Sequence, residues 1–282
     1  MANTNMERFT SETSFADFPS ANNQDMVIVG KKRNGDLWHL VVDGHGRNIV
    51  IDKLREMNYL DVMEAENPVD IIYDEIAKIA DTFGSGATIS VVIISDEKIS
   101  CYWRGDSTIK VWKGDNEIFA SENHDDDNES EVKRMRDRGV STQASWAPKI
   151  ISSTNLTMVQ KNYFILDEKG ATGVKDRVNM TNCLGHNNKT GGETSEHHIN
   201  IVPGFTYTMV VGSDGLWDVI APEDNLLLYD TATQMGEHSL MRWEQEWNYE
   251  YPGSETTISK LGSRDDICVA VWKGGVMDMA AD

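Results

Sequence analysis

The short stretch of residues 41–46 constrains the fold most strongly. Two apolar β-branched residues, Val41 and Val42, run directly into the sequence Asp-Gly-His-Gly. β-Branched residues favour a strand, and glycine allows close backbone approach or a positive φ angle. The stretch therefore predicts a buried strand that ends at a site, with Asp43 at its tip. An ordinary hairpin turn is the alternative interpretation, because Asp-Gly is common in turns.

Two further acidic turns of the same kind lie far downstream. Asp214 and Asp218 follow the apolar run Val210-Val211, and Asp265 directly precedes the apolar run of residues 267–272. Carboxylates at three separate strand ends, without a matching set of Cys or His, are typical ligands of Mg²⁺ or Mn²⁺. The pattern predicts a site for a hard divalent cation.

Taken together, these motifs resemble the signatures of the PPM family, the metal-dependent Ser/Thr protein phosphatases of type 2C. Three further matches occur in the family's order: Asn23-Gln24-Asp25, Gly86-Ala87-Thr88 and Arg104-Gly105-Asp106-Ser107. The resemblance extends over residues 20–273. It implies an α+β fold, a four-layer α/β/β/α sandwich in which two antiparallel β-sheets face each other and helices lie outside.

The resemblance also implies an activity, the hydrolysis of phosphoserine and phosphothreonine in proteins by a metal-activated water. Two divalent ions, Mg²⁺ or Mn²⁺, would offset the negative charge of the phosphate and activate the water. Asp43 is expected to lie between the two ions, and the Gly44 carbonyl is expected to supply a further oxygen. Asp214 and Asp265 would complete the ligand set.

Three more residues receive roles by the same resemblance. Asp25 is expected to bind metal, and the alternative is a carboxylate that only orients the ligands. Asp218 is expected to help hold a weak third ion. His45 matches the family's general acid, which protonates the departing alkoxide; a structural turn histidine is the alternative.

Two positions depart from the family's pattern. The phosphate-binding arginine is expected a few residues before Asp25, where this chain has Ser20. Arg47 is the substitute that we predict for binding the substrate phosphate. Asn123 stands where the family has an aspartate ligand of the third ion, and Asp125 is a candidate replacement.

Composition restricts the class of partner. The formal net charge of −20 argues against nucleic acid and anionic membranes. No apolar run approaches ~20 residues, so no transmembrane helix is expected. The N-terminal residues show no signal-peptide pattern, and three cysteines without metal spacing indicate reduced thiols. We therefore expect a monomer that acts on phosphorylated proteins in the cytoplasm, with the nucleus as an alternative location.

Along the chain, residues 1–19 are interpreted as a flexible tail, 20–275 as the phosphatase domain and 276–282 as a second tail. Strands are predicted at residues 26–31 and 37–42, followed by helices near 48–57 and 67–83. Three strands between residues 87 and 113 suggest an antiparallel meander. Residues 139–200 are the least regular part, with one hairpin-like piece at residues 157–166, and about 140–200 are assigned to the family's variable flap.

Two clusters invite other metal assignments. The run of residues 125–127 lacks the spacing and glycine of an EF-hand loop, so a solvated face is favoured. His186, His197 and His198 have no helix-face spacing, so a solvated loop is favoured over a zinc site.

Alternative functions remain open at this point. A pseudophosphatase that binds phosphoproteins without turnover is favoured by the missing arginine and by Asn123. Hydrolysis of small phosphorylated metabolites is a third interpretation.

Overall fold

The computed structural model describes residues 8–167, 176–251 and 253–277. The strands are β1 (Arg8–Phe18), β2 (Met26–Lys31), β3 (Leu37–Gly46), β4 (Ser85–Ile94), β5 (Lys98–Arg104), β6 (Thr108–Lys113), β7 (Asn116–Ala120), β8 (Ser141–Ile150), β9 (Asn155–Asp167), β10 (Asp176–Val178), β11 (Leu184–Gly185), β12 (Ser195–Asn200), β13 (Tyr207–Gly212), β14 (Glu246–Glu250), β15 (Thr257–Lys260) and β16 (Ile267–Met277). The α-helices are α1 (Ile49–Arg55), α2 (Tyr59–Val62), α3 (Pro68–Ala77), α4 (Glu129–Asp137), α5 (Asp214–Trp217) and α6 (Ala232–Glu244), and 3₁₀ turns occur at His186–Asn188 and Leu226–Leu228.

Two antiparallel sheets form the centre of the molecule. The first has the order β12-β5-β4-β3-β2, with β11 added to β4, and the second has the order β1-β16-β13-β6-β7. Successive apolar side chains of these strands point to opposite faces of the sheet, so both faces of each sheet are buried. Val41 and Val92 of the first sheet pack with Val211 and Ala270 of the second.

Helices cover the outer faces. Leu40 and Val42 point away from the second sheet and pack with residues of α1 and α3. Residues of α6 pack on the outer face of the second sheet, with Val269 and Val271. The predicted α/β/β/α sandwich is therefore confirmed.

Local capping explains where the longer helices begin. The Asn67 side chain accepts hydrogen bonds from the first turn of α3, and Pro68 occupies the first helical position, where its missing N–H costs nothing. Thr231 and Gln234 form a reciprocal capping box at the start of α6.

The expected flexible tail over residues 1–19 is wrong for Arg8–Phe18, which forms β1 on the edge of the second sheet beside β16. Two polar contacts fix the strand in place: Trp272 donates to Ser11 over 2.7 Å, and Thr13 bonds His39 over 2.6 Å. Residues 1–7 and 278–282 lie outside the described residues, so the proposed tail boundaries remain predictions there.

Two further expectations about strands are wrong. The predicted meander breaks after β5, because β6 pairs with β13 and β7 in the second sheet. Residues 141–167 are not irregular, because β8 and β9 form a long hairpin. This hairpin joins β10, β14 and β15 in a third sheet that the sequence did not predict.

In the part of the chain that the structure describes, no helix has the length and apolar character needed to span a bilayer.

Candidate metal centre

Strand β3 delivers the first carboxylate. Asp43 shares a face of the strand with Val41, so it points into the space between the two central sheets. It is 8% exposed. The strand continues to Gly46, paired with the start of β4, so residues 43–46 extend the strand where a turn was expected.

Gly44 is required by the close approach of a neighbouring backbone. A Cβ at this position would lie 2.6 Å from the Gln24 carbonyl oxygen. The Gly44 N–H donates to that same carbonyl over 3.1 Å. This contact places Asp25 and Asp43 on adjacent strands at the same end of the sheet.

Asp25 is 4% exposed, and its Oδ2 has no hydrogen-bond partner among the described residues. Burial, together with the charges of Asp266 and Asp265, raises the pKa of Asp25 to about 7. A buried carboxylate oxygen without a partner is costly unless a cation or donor reaches it.

Asp214 and Asp218, from the downstream motif, belong to the same cluster of carboxylates as Asp43. Asp214 begins α5, and the N–H of Asp218 donates to the Asp214 carbonyl over 2.7 Å. Burial and the charge of Asp218 raise the pKa of the Asp214 carboxyl well above its usual range. Burial and the charge of Asp214 have the same effect on the pKa of Asp43.

Asp265 and Asp266 have different roles, the first as a neighbouring charge and the second as a hydrogen-bond acceptor. Asp265 is exposed and acts on Asp25, Asp43 and Asp214 as a neighbouring charge. Asp266 is 2% exposed and accepts hydrogen bonds from the backbone N–H groups of Ser20 and Gln24. Although burial opposes the effect, these hydrogen bonds lower the pKa of Asp266. Asp266 therefore anchors the segment that carries Asp25.

Asp106 is a member of the cluster that sequence reasoning missed. The chain crosses from the first sheet to the second between β5 and β6, and this crossing brings Asp106 to the cluster. The residue is 7% exposed, its Oδ1 has no partner among the described residues, and burial with the charge of Asp218 raises its pKa to about 7. His124 positions the crossing, because its Nδ1 accepts from the Gly105 N–H over 3.0 Å.

Asn123 is engaged elsewhere. Its Oδ1 accepts a hydrogen bond from the Thr108 hydroxyl over 3.0 Å. Asp125, two residues on, is 9% exposed and raises the pKa of Asp106 through its charge. The contacts therefore favour Asp125, rather than Asn123, as the residue that supplies an oxygen ligand on this side of the cluster.

The charge of a lysine interacts with these carboxylates. Lys161, on β9, is half-buried. Burial alone would lower its pKa, but the charges of Asp218, Asp125 and Asp106 outweigh it and raise the pKa. The backbone of the next residue is fixed as well, because the Asn162 N–H donates to Asp126 over 2.6 Å.

His45 has a partner that the sequence did not reveal. Its Nε2 lies 2.8 Å from Nε2 of His186, and the two rings stack at a centroid distance of 5.0 Å. His186 is 2% exposed, so the expectation that it lies in a solvated loop is wrong. Burial and the neighbouring His186 lower the pKa of His45 to about 3.

Arg47 points to other groups. Its guanidinium donates to the Phe83 carbonyl over 3.1 Å and lies 3.9 Å from Asp81. Among the described residues, its hydrogen bonds and ion pairs reach no carboxylate of the cluster. Binding of the substrate phosphate by Arg47 stays a prediction.

The donor set fits Mg²⁺ or Mn²⁺. It consists of carboxylate oxygens, two of which are buried without partners, and its like charges raise one another's pKa values. Hard divalent cations prefer oxygen ligands of this kind. Asp43, Asp214, Asp25 and Asp106 would hold such ions, with Asp218 and Asp125 beside them. Metal binding by Asp265 and by the Gly44 carbonyl stays a prediction.

Comparisons with known proteins agree with this architecture. A family model described as protein phosphatase 2C matches residues 49–151. The fold is similar to a serine/threonine phosphatase of Streptococcus agalactiae, with a TM-score of 0.54, 19% identity, and coverage of 93% of this chain and 99% of that one. It is also similar to serine-threonine phosphatase 2C of Toxoplasma gondii, with a TM-score of 0.60, 12% identity, and coverage of 97% and 96%.

The resemblance to the PPM family is confirmed. The chain has the fold of the type 2C protein phosphatases. A sex-determining protein of Caenorhabditis elegans shares it with a TM-score of 0.62 and 14% identity over 94% of this chain, which spans 64% of that protein. No curated protein matches the sequence.

Within this type 2C fold, the site residues that sequence reasoning missed differ in whether a local pattern marks them. Asp106 lies in the motif Arg104-Gly105-Asp106-Ser107, and this motif is the local signal for it. Asp176 lies on β10 and His186 in the turn after β11, and the contact of His186 with His45 of β3 depends on the tertiary fold. No local pattern marks them.

Proposed function

We propose that this protein is a Mg²⁺- or Mn²⁺-dependent phosphatase that hydrolyses phosphoserine and phosphothreonine in proteins. The observation that carries the proposal is the buried carboxylate cluster, in which Asp25 and Asp106 each have an oxygen without a partner. A structural cluster of this kind would be destabilising, whereas a divalent-cation site needs it.

When bound, the divalent ions supply Lewis-acid activation of water and offset the charge of the phosphate. The chain's own residues hold the site in shape before substrate arrives. Asp266 fixes the segment of Asp25, the Gln24 carbonyl fixes Gly44, and His124 fixes the loop of Asp106. Preorganised groups of this kind need little rearrangement during the reaction.

Binding of the phosphate dianion needs a positive charge from the protein. Arg47 is the predicted cation, but its contacts with Phe83 and Asp81 would have to change. Lys161, on β9 of the third sheet, is the second candidate, because its charge interacts with those of Asp218, Asp125 and Asp106.

His45 is the proposed acid for the leaving alkoxide, and the structure sets a condition on that role. Its Nε2 is bonded to His186, and its Nδ1 is buried without a partner among the described residues. For His45 to protonate a leaving group, its ring has to leave His186. A histidine that must break one hydrogen bond to act remains compatible with general acid catalysis.

The deciding experiment measures phosphate release from a phosphothreonine peptide with and without Mn²⁺. The wild type is expected to show metal-dependent turnover, and Asp214→Asn is expected to lose it by at least about 100-fold, as for a residue at a metal centre. Asp230→Asn, on an exposed loop, is the matched control and should behave as wild type.

A second candidate function is a binding module that recognises phosphoproteins without turnover. Ser20 at the arginine position and the hydrogen bond of His45 to His186 favour it. Binding of the phosphopeptide by folded wild-type protein, with no phosphate release at any Mn²⁺ concentration, would decide for this candidate. Turnover of small phosphomonoesters in preference to the peptide would instead indicate a metabolite phosphatase.

A further inference from the structure

A second group of metal-binding side chains lies beside the carboxylate cluster and differs from it in chemistry. One ligand atom each from His45, Cys183 and His186 lies within 4.8 Å of the other two. These residues come from β3, from the segment before β11, and from the 3₁₀ turn after it. We propose that they form a binding site for a thiophilic divalent cation, with Zn²⁺ as the expected occupant.

The donor types decide the class of ion. Two imidazole nitrogens and one sulfur suit Zn²⁺, whereas Mg²⁺ and Mn²⁺ prefer the oxygens of the carboxylate cluster. The protein would therefore hold two kinds of cation at neighbouring places, sorted by the hardness of the ligands.

His186 is oriented as a metal ligand usually is. Its Nδ1 lies 3.0 Å from Oδ2 of Asp176, which accepts the hydrogen bond. The proton is therefore on Nδ1, and the lone pair of Nε2, the atom that would bind the metal, faces His45. A carboxylate behind a ligating histidine fixes the tautomer and strengthens the ligand. Asp176 is itself held by the Gly84 N–H over 3.1 Å.

The backbone around His186 adds an independent indication. His186, Asn187 and Asn188 have φ angles of 48°, 50° and 59°. Three successive non-glycine residues in the left-handed region are costly, and such conformations cluster at functional sites. Here the turn directs the His186 imidazole inward, where it is 2% exposed.

Gly86 leaves the space that the two rings occupy. A Cβ at this position would collide with Nε2 of both His45 and His186. Glycine at this position therefore permits the two nitrogen atoms to converge. Any larger residue would place its Cβ against them.

The ligand atoms, which lie within 4.8 Å of one another, have to adjust to the spacing of a tetrahedral Zn²⁺ shell. The two Nε2 atoms are 2.8 Å apart as hydrogen-bonded partners. Two nitrogens on a tetrahedral Zn²⁺ at about 2.0–2.1 Å lie roughly 3.3–3.4 Å apart. Binding would replace the hydrogen bond, shift the His45 proton to Nδ1, and separate the two Nε2 atoms by about 0.5–0.6 Å.

Cys183 contributes the sulfur. It is fully buried, and its Sγ lies 3.2 Å from the Thr190 hydroxyl. A coordinating thiol is deprotonated by the ion, so binding releases one proton to solvent. The half-buried side of His45 is the route by which an ion and a water as fourth ligand would reach the site.

Binding at this site has a consequence for the proposed phosphatase activity, and this part of the inference rests on the proposed function. The ion would take Nε2 of His45 and hold the ring against His186. His45 could then not turn to serve as an acid, so Zn²⁺ would inhibit turnover without displacing the ions of the carboxylate cluster.

The first test is spectroscopic and does not depend on activity. Co²⁺ is added in place of Zn²⁺ to the full chain with Mn²⁺ in excess. The wild type is expected to show a thiolate-to-cobalt charge-transfer band and the intense visible bands of tetrahedral Co²⁺. Cys183→Ser should lose the charge-transfer band, whereas Cys101→Ser, a second buried thiol on β5, should keep it.

Two further variants secure the assignment. Asp176→Asn is expected to weaken Co²⁺ binding by about 10–100-fold while keeping the band at saturation. If Cys183→Ser does not fold, His186→Gln takes its place, and its folding is checked by circular dichroism. His186→Gln should abolish the tetrahedral bands. A folded wild type without these bands, or a charge-transfer band that persists in Cys183→Ser, overturns the proposal.

The second test measures inhibition of peptide dephosphorylation by Zn²⁺ at fixed Mn²⁺. The concentration for half inhibition should rise at least tenfold in Asp176→Asn relative to wild type. Equal inhibition of both, together with positive spectroscopy, would keep the site and overturn its inhibitory role. A protein without any turnover would overturn the proposed function alone, because the spectroscopic result stands separately.

Discussion

At the scale of single residues, Lys161 raises the sharpest question about substrate binding. The charges of Asp218, Asp125 and Asp106 act on its ammonium, and those charges would be shared with divalent ions when metal is bound. The ammonium would then be available to a substrate phosphate. We predict that Lys161→Gln raises KM for a phosphothreonine peptide by roughly tenfold, the effect of losing about 1.4 kcal/mol of binding, with a smaller change in kcat.

Steady-state kinetics at saturating Mn²⁺ check this prediction. Lys149→Gln, an exposed lysine on the partner strand β8, is the matched control and should leave KM unchanged. If Lys161→Gln and Lys149→Gln behave alike, the ammonium plays no part in binding, and Arg47 becomes the remaining candidate.

The residues that sequence reasoning found and missed differ in how they are encoded. Asp43, Asp214 and Asp265 each follow or precede an apolar run, so their place at a strand end can be predicted locally. Asp106 also lies at a strand end, but its importance arises because the next strand belongs to the other sheet. His186 sits at a positive φ angle in a segment without periodicity, and nothing in the local sequence indicates its contact with His45.

At the scale of elements, β1 and β3 show what the sequence could and could not predict. The β-branched apolar residues of β3 predict a strand, whereas β1 carries mostly polar residues that are typical of a tail. What holds β1 is pairing with β16 and the bond between Thr13 and His39. Such contacts, between residues 26 positions apart or more, leave no trace in local composition.

The contact between β1 and β3 also makes a prediction about pH. His39 is fully buried, its Nδ1 has no partner among the described residues, and burial lowers its pKa to about 3. Between about pH 6.5 and pH 3 the unfolded chain binds a proton at this position and the folded chain does not. His39 therefore costs stability as pH falls, by about 1.4 kcal/mol for each pH unit below 6.5.

We predict that His39→Gln removes this contribution. The free energy of unfolding, measured by urea titration at pH 7.5 and pH 5.5, should fall less on acidification in His39→Gln than in wild type, by roughly 1.4 kcal/mol. His198→Gln, an exposed histidine on β12, serves as control. Parallel losses in wild type and His39→Gln would show that His39 is protonated in the folded protein.

At the scale of the whole molecule, charge and fold are linked through the carboxylate cluster. The chain carries a formal net charge of −20, and several of its carboxylates are gathered at one end of the two central sheets. Their mutual repulsion is a cost of folding, because the unfolded chain separates and hydrates them. Divalent ions that bind only the folded chain remove this cost, so fold and cofactor stabilise each other.

The same link gives a prediction for thermal unfolding. At about 100 times its dissociation constant, Mn²⁺ should stabilise the protein by about 2.7 kcal/mol, which corresponds to a rise in Tm of roughly 5 °C for a chain of this size. Asp106→Asn removes a buried charge whose Oδ1 has no partner among the described residues. We therefore expect this variant to have a higher Tm than wild type without metal and a smaller rise with Mn²⁺.

Opposite effects of one substitution with and without metal separate a cation site from a structural cluster. Asp96→Asn, in the exposed turn between β4 and β5, should change neither Tm nor its response to Mn²⁺. If Asp106 served only the fold, Asp106→Asn would lower Tm under both conditions and leave the Mn²⁺ response intact. Differential scanning calorimetry of the three proteins, each with chelator and with Mn²⁺, distinguishes the two cases, since the repulsion among carboxylates acts only where the ions are missing.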